Sequence, residues 1–137
     1  KQEVEIAMTT TSGIHADMNI VLNAEQVQEL QKLVPSVPVS KYVAEYAVRL
    51  AQSSRPNKNG STPDFINEWV DWGAGPRASQ FLILGAKAKS ILDGRPTADI
   101  DDVKSLALPV LRHRVLPNFN AEAEGVSVDD IISKLIN

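Results

Sequence analysis

Apolar residues along this chain recur at three- and four-residue spacing, which predicts amphipathic helices. The first clear helix follows Asn23, a good N-terminal cap, and a second occupies residues 40–53. The longest predicted helix runs from Pro76 to about Asp93. It begins with proline, which is favoured at the first helical position, and Gly94 stands where a terminating glycine is expected.

Two further helices have clear start signals. Asp99 can cap a helix that extends to Val110, in which we expect Pro109 to introduce a kink or end the helix. Ser127 and Asp130 form an approximate capping box before the last apolar face. No segment shows the alternation of a strand. We therefore predict an all-α fold, a small bundle of about five helices.

Three segments are less regular. Residues 64–72 fit either a short helix or an extended segment, and their tryptophans, Trp69 and Trp72, are expected to fill the core or an interface. Residues 1–8 form a helical pattern with no cap before it, so we expect the chain to be part of a longer protein. His15 is expected to be an exposed histidine in the polar connector that follows.

Composition narrows the class of protein. The 137 residues, with a hydrophobic fraction of 43% and a net charge of -3, suit one globular domain. The absence of cysteine excludes disulfides and thiolate chemistry and fits a reducing compartment. The densest apolar run, FLILGA, is too short to span a bilayer, and the mild acidity disfavours a nucleic-acid binder.

Motifs of catalysis are missing from the sequence. It contains neither a phosphate-binding loop nor a paired-histidine metal motif. Asp99, Asp101 and Asp102 are interpreted as favourable charges at a helix N-terminus rather than as a catalytic pair. We therefore expect no metal site and no enzymatic activity in this chain on its own.

Arg77 is the unusual residue, because a cation in the first turn opposes the helix dipole by about 0.3–1 kcal/mol. At 100° per residue, Arg77 lies on one line with Phe81, Leu84 and Ala88, which predicts that it projects from the core-facing side. The apolar band around this line is completed by Ala78, Leu82, Ile91 and Leu92. The polar side of this wheel includes Ser90.

Two interpretations of Arg77 remain open. It can pair with a carboxylate on a neighbouring helix, or it can bind a phosphate whose remaining ligands lie on another domain. The free N–H groups at the helix start, after Gly75 and Pro76, would support the second interpretation, because they attract anions. A second basic point, Arg112, His113 and Arg114, is interpreted as charge compensation at a helix C-terminus.

Four motifs together resemble the C-terminal lid of MoxR-family AAA+ ATPases. They are Trp72 to Ala78, Leu92 to Arg95, Asp101 to Val103 and Val110 to Arg114. Gly75 departs from the pattern, since the family usually has serine there, which is a better cap. The resemblance divides the chain into residues 1–20, the end of the ATPase core with a connector, and residues 21–137, the helical lid.

The resemblance also implies a function. Arg77 matches the sensor-two arginine, which reaches the terminal phosphates of ATP. Gly75 and Pro76, which begin the same helix, are expected to belong to the same ATP-binding site. ATP and Mg²⁺ would bind to the full-length protein, whose phosphate loop lies on the missing core. Family members form rings, often hexamers, in which the lid contacts its own core and neighbouring subunits. They act as chaperone-like cytoplasmic remodellers, commonly with von Willebrand factor A-domain partners.

Two alternatives come from other classes of protein. The first is a free-standing helical interaction module without nucleotide chemistry, in which Arg77 forms a structural ion pair. The second is a histone-like nucleic-acid binder, which only residues 97–108 suggest and which the acidic balance disfavours.

Overall fold

A computed structural model of the chain describes residues 2–13, 19–57, 60 and 62–137, so His15 lies outside the described residues. The chain divides into two compact units, Lys1–Leu30 and Gln31–Asn137. In the first unit, α1 spans Gln2–Thr11 and is exposed along its length. Helix α2, Ala24–Leu33, begins in that unit. Its predicted cap is confirmed, because Asn23 Oδ1 accepts a hydrogen bond from the backbone N–H of Gln26 at 2.8 Å.

The second unit holds the remaining elements. A short 3₁₀ turn, Val34–Ser36, precedes α3 (Lys41–Ser53), α4 (Asp64–Trp69), β1 (Val70–Trp72), α5 (Pro76–Leu92), α6 (Ile100–Leu111), β2 (Leu116–Pro117), α7 (Phe119–Glu124) and α8 (Val128–Ile136). The all-α prediction is confirmed. The described residues form eight α-helices rather than about five, partly because α4 and α7 have only six residues each.

Small side chains bring the helices of the second unit together. Helix α5 packs against α3 and α6, and α8 closes the core against α6. The larger residues of this core are fully buried: Ile66, Leu82, Val103, Leu111, Ile131 and Ile132. Between them lie buried alanines, which let backbones approach closely: Ala47, Ala51, Ala74, Ala78, Ala86 and Ala107.

The sequence predicts the start of helix α6 better than its end. Its start is as predicted, with a capping box in which Asp99 and Asp102 each accept the other's backbone N–H. Its end differs in one respect, because Pro109 does not end the helix, which continues to Leu111; a kink at this proline stays a prediction. A proline inside a helix removes one hydrogen-bond donor and brings its ring close to the carbonyl of the residue four positions earlier, here Ser105. The helix nevertheless continues past Pro109, and Arg112 N donates to Leu108 O at 3.0 Å.

The ambiguous segment 64–72 is both helical and extended. Trp69 ends α4, packs against Phe65 with ring centroids 5.9 Å apart, and donates from Nε1 to Glu124 Oε2 at 3.0 Å. Trp72 does not fill the core, because it is 73% exposed. The pairing of β1 with β2 shifts between Val70 and Trp72, and such an irregularity disrupts the alternation that would have turned Trp72 inward. Its role at an interface stays a prediction.

Candidate functional site

The segment before α5 is held by the C-terminal end of α3. Ser54 Oγ accepts a hydrogen bond from Ala74 N at 2.9 Å and donates to Ala51 O at 2.7 Å. Arg55 Nε donates to Ala74 O at 2.6 Å. Both backbone polar groups of Ala74 are therefore bonded to residues at the end of one helix. Helix α5 starts two residues later, from a fixed point.

The two glycines of this segment have different reasons to be glycine. A Cβ on Gly73 would lie 2.3 Å from the carbonyl oxygen of Ser54, so no side chain fits between the two backbones. Gly75 is the N-cap of α5, with an extended backbone and no side-chain hydrogen bond to the helix start. A Cβ there would meet nothing within 4 Å. Gly75 and Pro76 thus leave the start of α5 open.

Arg77 is exposed, which corrects the predicted orientation of α5. The buried line of α5 is Ala78, Leu82, Ala86 and Ser90. The predicted core line, Arg77, Phe81, Leu84 and Ala88, instead forms a partly exposed stripe, in which Phe81 is 46% and Leu84 42% exposed. Much of α5 is apolar on more than one side, so hydrophobicity alone could not identify the face that packs.

Small residues decide the packing of α5. Ala78 and Ala86 allow α3 and α6 to approach, whereas the larger Phe81 and Leu84 remain on the surface. Ser90, predicted on the polar side, is fully buried because its hydroxyl donates to Lys87 O at 2.8 Å within the helix. The stripe that begins at Arg77 is therefore an apolar surface with a cation at one end.

The guanidinium of Arg77 makes no hydrogen bond and no ion pair with any residue that the structure describes. The carboxylate on a neighbouring helix, which one interpretation required, is not found in that part of the chain. An exposed and unpaired arginine at an uncapped helix start retains both its charge and its donors for a ligand outside the domain.

An apolar cleft of about 540 Å³ continues the stripe. Phe81, Leu84 and Ala88 form one wall, and Pro109 and Val110 of α6 lie opposite. The cleft ends at a basic side chain, since the guanidinium carbon of Arg114 lies 5.1 Å from the centre of the Phe81 ring.

The basic residues after α6 have partners inside the domain. Arg112 binds Asp129 with two hydrogen bonds, from Nε and Nη2, each 2.7 Å long. These bonds raise the pKa of the guanidinium. Arg114 donates to the carbonyl of Val110, in the last turn of α6, and contacts His113. The interpretation of this point as charge compensation is therefore supported for Arg114, whereas Arg112 links α6 to α8.

Sequence reasoning missed the partner of Asp102. This carboxylate is only 2% exposed and accepts hydrogen bonds from both Nη groups of Arg95, at 2.9 and 2.5 Å. The pair joins two of the four motifs, Leu92 to Arg95 and Asp101 to Val103. The guanidinium holds the pKa of Asp102 below its ordinary value, helped by the backbone N–H of Asp99, although burial alone would raise it.

Neither a metal site nor a membrane span is found in the described part of the chain. Across residues 2–13, 19–57, 60 and 62–137, no three His, Asp or Glu side chains cluster in a way that could hold a metal ion. Within the same ranges, every helix is too short or too polar to cross a membrane.

Comparison with known proteins gives a consistent set of similarities. A family model described as an AAA lid domain matches residues 65–135. The chaperone MoxR1 of Mycobacterium tuberculosis is 28% identical over 116 residues, which cover 85% of this chain and 30% of that protein. An uncharacterised protein of Bacillus subtilis, YeaC, is 27% identical over 117 residues, which cover 85% and 33%.

The fold has a counterpart among solved structures. A crystal structure of a candidate ATPase from Cytophaga hutchinsonii superposes with a TM-score of 0.82 and 24% identity, over 99% of this chain and 42% of the other. The chain spans about a third of the length of the curated relatives it matches.

Proposed function

The chain belongs to the AAA lid domain family, with a MoxR chaperone among its relatives, and on this premise we propose that it supplies Arg77 to the terminal phosphates of ATP. The nucleotide is bound by the ATPase core of a longer parent protein. Arg77 then acts as the sensor-two arginine. It stabilises charge that develops during hydrolysis and couples the nucleotide state to the position of the lid.

The state of Arg77 carries this proposal. Its side chain is exposed, it has no partner among the described residues, and it lies in the first turn of a helix without a side-chain cap. A planar guanidinium suits phosphate oxygens, and the helix start adds a partial positive charge beside it. The alternative, a free-standing interaction module, relied on a structural ion pair for Arg77, which the described residues do not contain.

The exposed stripe supports the same arrangement. Phe81 and Leu84 lie along α5 after Arg77, so a protein that brings phosphates to Arg77 also meets an apolar surface. We propose that the ATPase core covers this stripe. Burial of such a surface would favour association of core and lid by the hydrophobic effect.

The finer properties of the parent are proposed from the resemblance. The core supplies the phosphate loop and the Mg²⁺-binding acid, so that the parent hydrolyses ATP and the lid by itself does not. The parent assembles as a ring and acts as a cytoplasmic chaperone-like remodeller. Proteins with von Willebrand factor A domains are proposed partners, and neither a nucleic acid nor a metal bound by the lid is part of the proposal.

The test is Arg77→Ala in the full-length ATPase. We expect turnover at saturating ATP to fall by about 10²-fold or more, the range seen when a charge-stabilising donor is lost. The lid should stay folded, because Arg77 has no hydrogen-bond or ion-pair partner among the described residues that its loss would leave unsatisfied.

The matched control is Arg49→Ala. Arg49 is also an exposed arginine on a helix, α3, and forms no salt bridge among the described residues. This variant should hydrolyse ATP as the parent does. If Arg77→Ala also retains parental turnover, Arg77 is not the sensor arginine.

A further inference from the structure

The attachment of Ala74 to α3 bears on how Arg77 is aimed. We infer that Arg55 is a positioning residue, which holds the start of α5 so that Arg77 points to one place. This inference rests on the proposed function of Arg77. Its basis is the hydrogen bond of 2.6 Å from Arg55 Nε to Ala74 O, which joins residues 19 positions apart in the sequence.

The segment immediately before α5, residues 73–75, needs such a restraint. Two of its three residues, Gly73 and Gly75, are glycines, which have the greatest backbone freedom of any residue. Ala74 between them is the only residue of the three with a side chain, and it is fully buried. Hydrogen bonds to its N–H and carbonyl therefore fix the chain immediately before the helix that presents Arg77.

The two hydrogen bonds to Ala74 come from side chains that differ in burial. Ser54 holds the N–H and is fully buried, so it cannot touch a ligand. Arg55 holds the carbonyl and is half-buried, and it also lines a surface cleft of about 400 Å³ beside Trp72 and Pro76. Arg55 can therefore act in two ways that experiment can separate. It can act through the hydrogen bond from Nε to Ala74 O, or through a charge that contacts the bound ATP.

Glutamine and methionine separate these roles. The side-chain amide nitrogen of glutamine occupies the same position along the chain as Nε of arginine, so Arg55→Gln keeps the donor to Ala74 and removes the charge. Arg55→Met keeps a similar apolar stem and removes both. In the full-length ATPase, we expect Arg55→Gln to stay within about twofold of the parental kcat. We expect Arg55→Met to lower kcat by about tenfold or more with little change in KM, because misplacement of a catalytic group by about 1 Å has large effects.

The double variant links the effect to Arg77. If Arg55 acts only by aiming Arg77, Arg55→Met should cause no further loss of kcat in the Arg77→Ala background. Ser54→Ala, which removes the other hydrogen bond to Ala74, should lower kcat in the same direction as Arg55→Met. It provides the same test if Arg55→Met does not fold.

A structural readout accompanies the kinetics. In the 137-residue chain, NMR amide exchange at Ala74, whose N–H is bonded to Ser54 Oγ, should accelerate in Arg55→Met and remain slow in Arg55→Gln, while exchange in the middle of α6 stays unchanged. If Arg55 only stabilised the fold, Arg55→Met would lower the stability of the domain. Its effect on kcat would then be the same whether or not Arg77 is present.

Each outcome has a defined meaning. Equal losses of kcat in Arg55→Gln and Arg55→Met overturn the inference, since the charge of Arg55 would then be what matters. Parental kcat in both Arg55→Met and Ser54→Ala also overturns it, and leaves the proposed function intact if Arg77→Ala is still impaired. Parental turnover in Arg77→Ala overturns the inference together with the proposed function.

Discussion

Replacing Asp102 by asparagine should destabilise the domain much more than the same replacement at Asp129. Both aspartates form a two-point ion pair with an arginine, Asp102 with Arg95 and Asp129 with Arg112. They differ in burial, since the side chain of Asp102 is 2% exposed and that of Asp129 is 47% exposed. Asparagine has nearly the same shape, so the comparison isolates the charge and its hydrogen bonds.

The magnitude follows from what Asp102 accepts. Its carboxylate takes two hydrogen bonds from Arg95 and one from the backbone N–H of Asp99. An amide turns one of the two oxygens into a donor that faces another donor. Hydrogen bonds to charged groups contribute about 1.5–3 kcal/mol each, and the lower cost of burying a neutral group offsets part of the loss. We expect Asp102→Asn to cost about 2 kcal/mol, and the exposed Asp129→Asn to cost well under about 1 kcal/mol.

Urea unfolding of the 137-residue chain, followed by far-ultraviolet circular dichroism at pH 7, measures both variants. With a typical slope of about 2 kcal/mol per molar urea, the midpoint should fall by about 1 M for Asp102→Asn and scarcely for Asp129→Asn. Equal shifts in the two variants would refute the reasoning, because burial would then have no influence on the strength of the pair.

The pH dependence gives an independent check. The pKa of Asp102 in the folded state lies below its ordinary value of 3.8. As the pH falls, the carboxylate of Asp102 is therefore protonated in the unfolded chain before it is protonated in the folded chain. The stabilisation is therefore complete above about pH 4 to 5 and disappears as the pH falls through the folded-state pKa. The difference in stability between the parent and Asp102→Asn should narrow over the same interval.

Four further substitutions address the start and the orientation of α5, with thermal unfolding as the measurement. Gly75→Ser should stabilise by about 0.5–1 kcal/mol, because the backbone is extended, space is free, and serine adds a cap; a lower melting temperature would contradict this. Gly73→Ala should cost more than about 2 kcal/mol, since its Cβ would lie 2.3 Å from Ser54 O, and an unchanged melting temperature would show that the backbones can separate. Leu82→Ala should cost about 2–5 kcal/mol and Phe81→Ala clearly less, as only Leu82 is fully buried; the reverse order would restore the orientation predicted from the sequence.

Local signals in the sequence predicted the helix starts well. The caps Asn23, Asp99 and Ser127 are confirmed, because a cap forms between residues three apart and needs no tertiary context. The effect of Pro109 was predicted less well. It does not end α6, which continues to Leu111, and the other predicted effect, a kink at this proline, stays a prediction.

Tertiary contacts have no comparable signal in the amino-acid sequence. The orientation of α5 was predicted only in part, because Ala78 and Leu82 of the predicted apolar band are fully buried, whereas Phe81 and Leu84, which were expected inside, remain exposed. The attachment of Ala74 to Arg55 joins distant residues through backbone atoms, which no pattern of side chains records. Arg95 and Asp102 both stand in motifs that the resemblance identified, yet only the structure shows that these motifs bind each other. The place of Arg77 in the first turn was predicted, and its exposure was not.

Helix α5 is secured at both of its ends. Before it, Ala74 is bonded to the end of α3, and after it, Arg95 is bonded to Asp102 of α6. With 17 residues, the helix is about 26 Å long. A helix bonded to α3 before its start and to α6 after its end cannot shift along its axis without breaking one of these contacts, so α3, α5 and α6 form one connected unit.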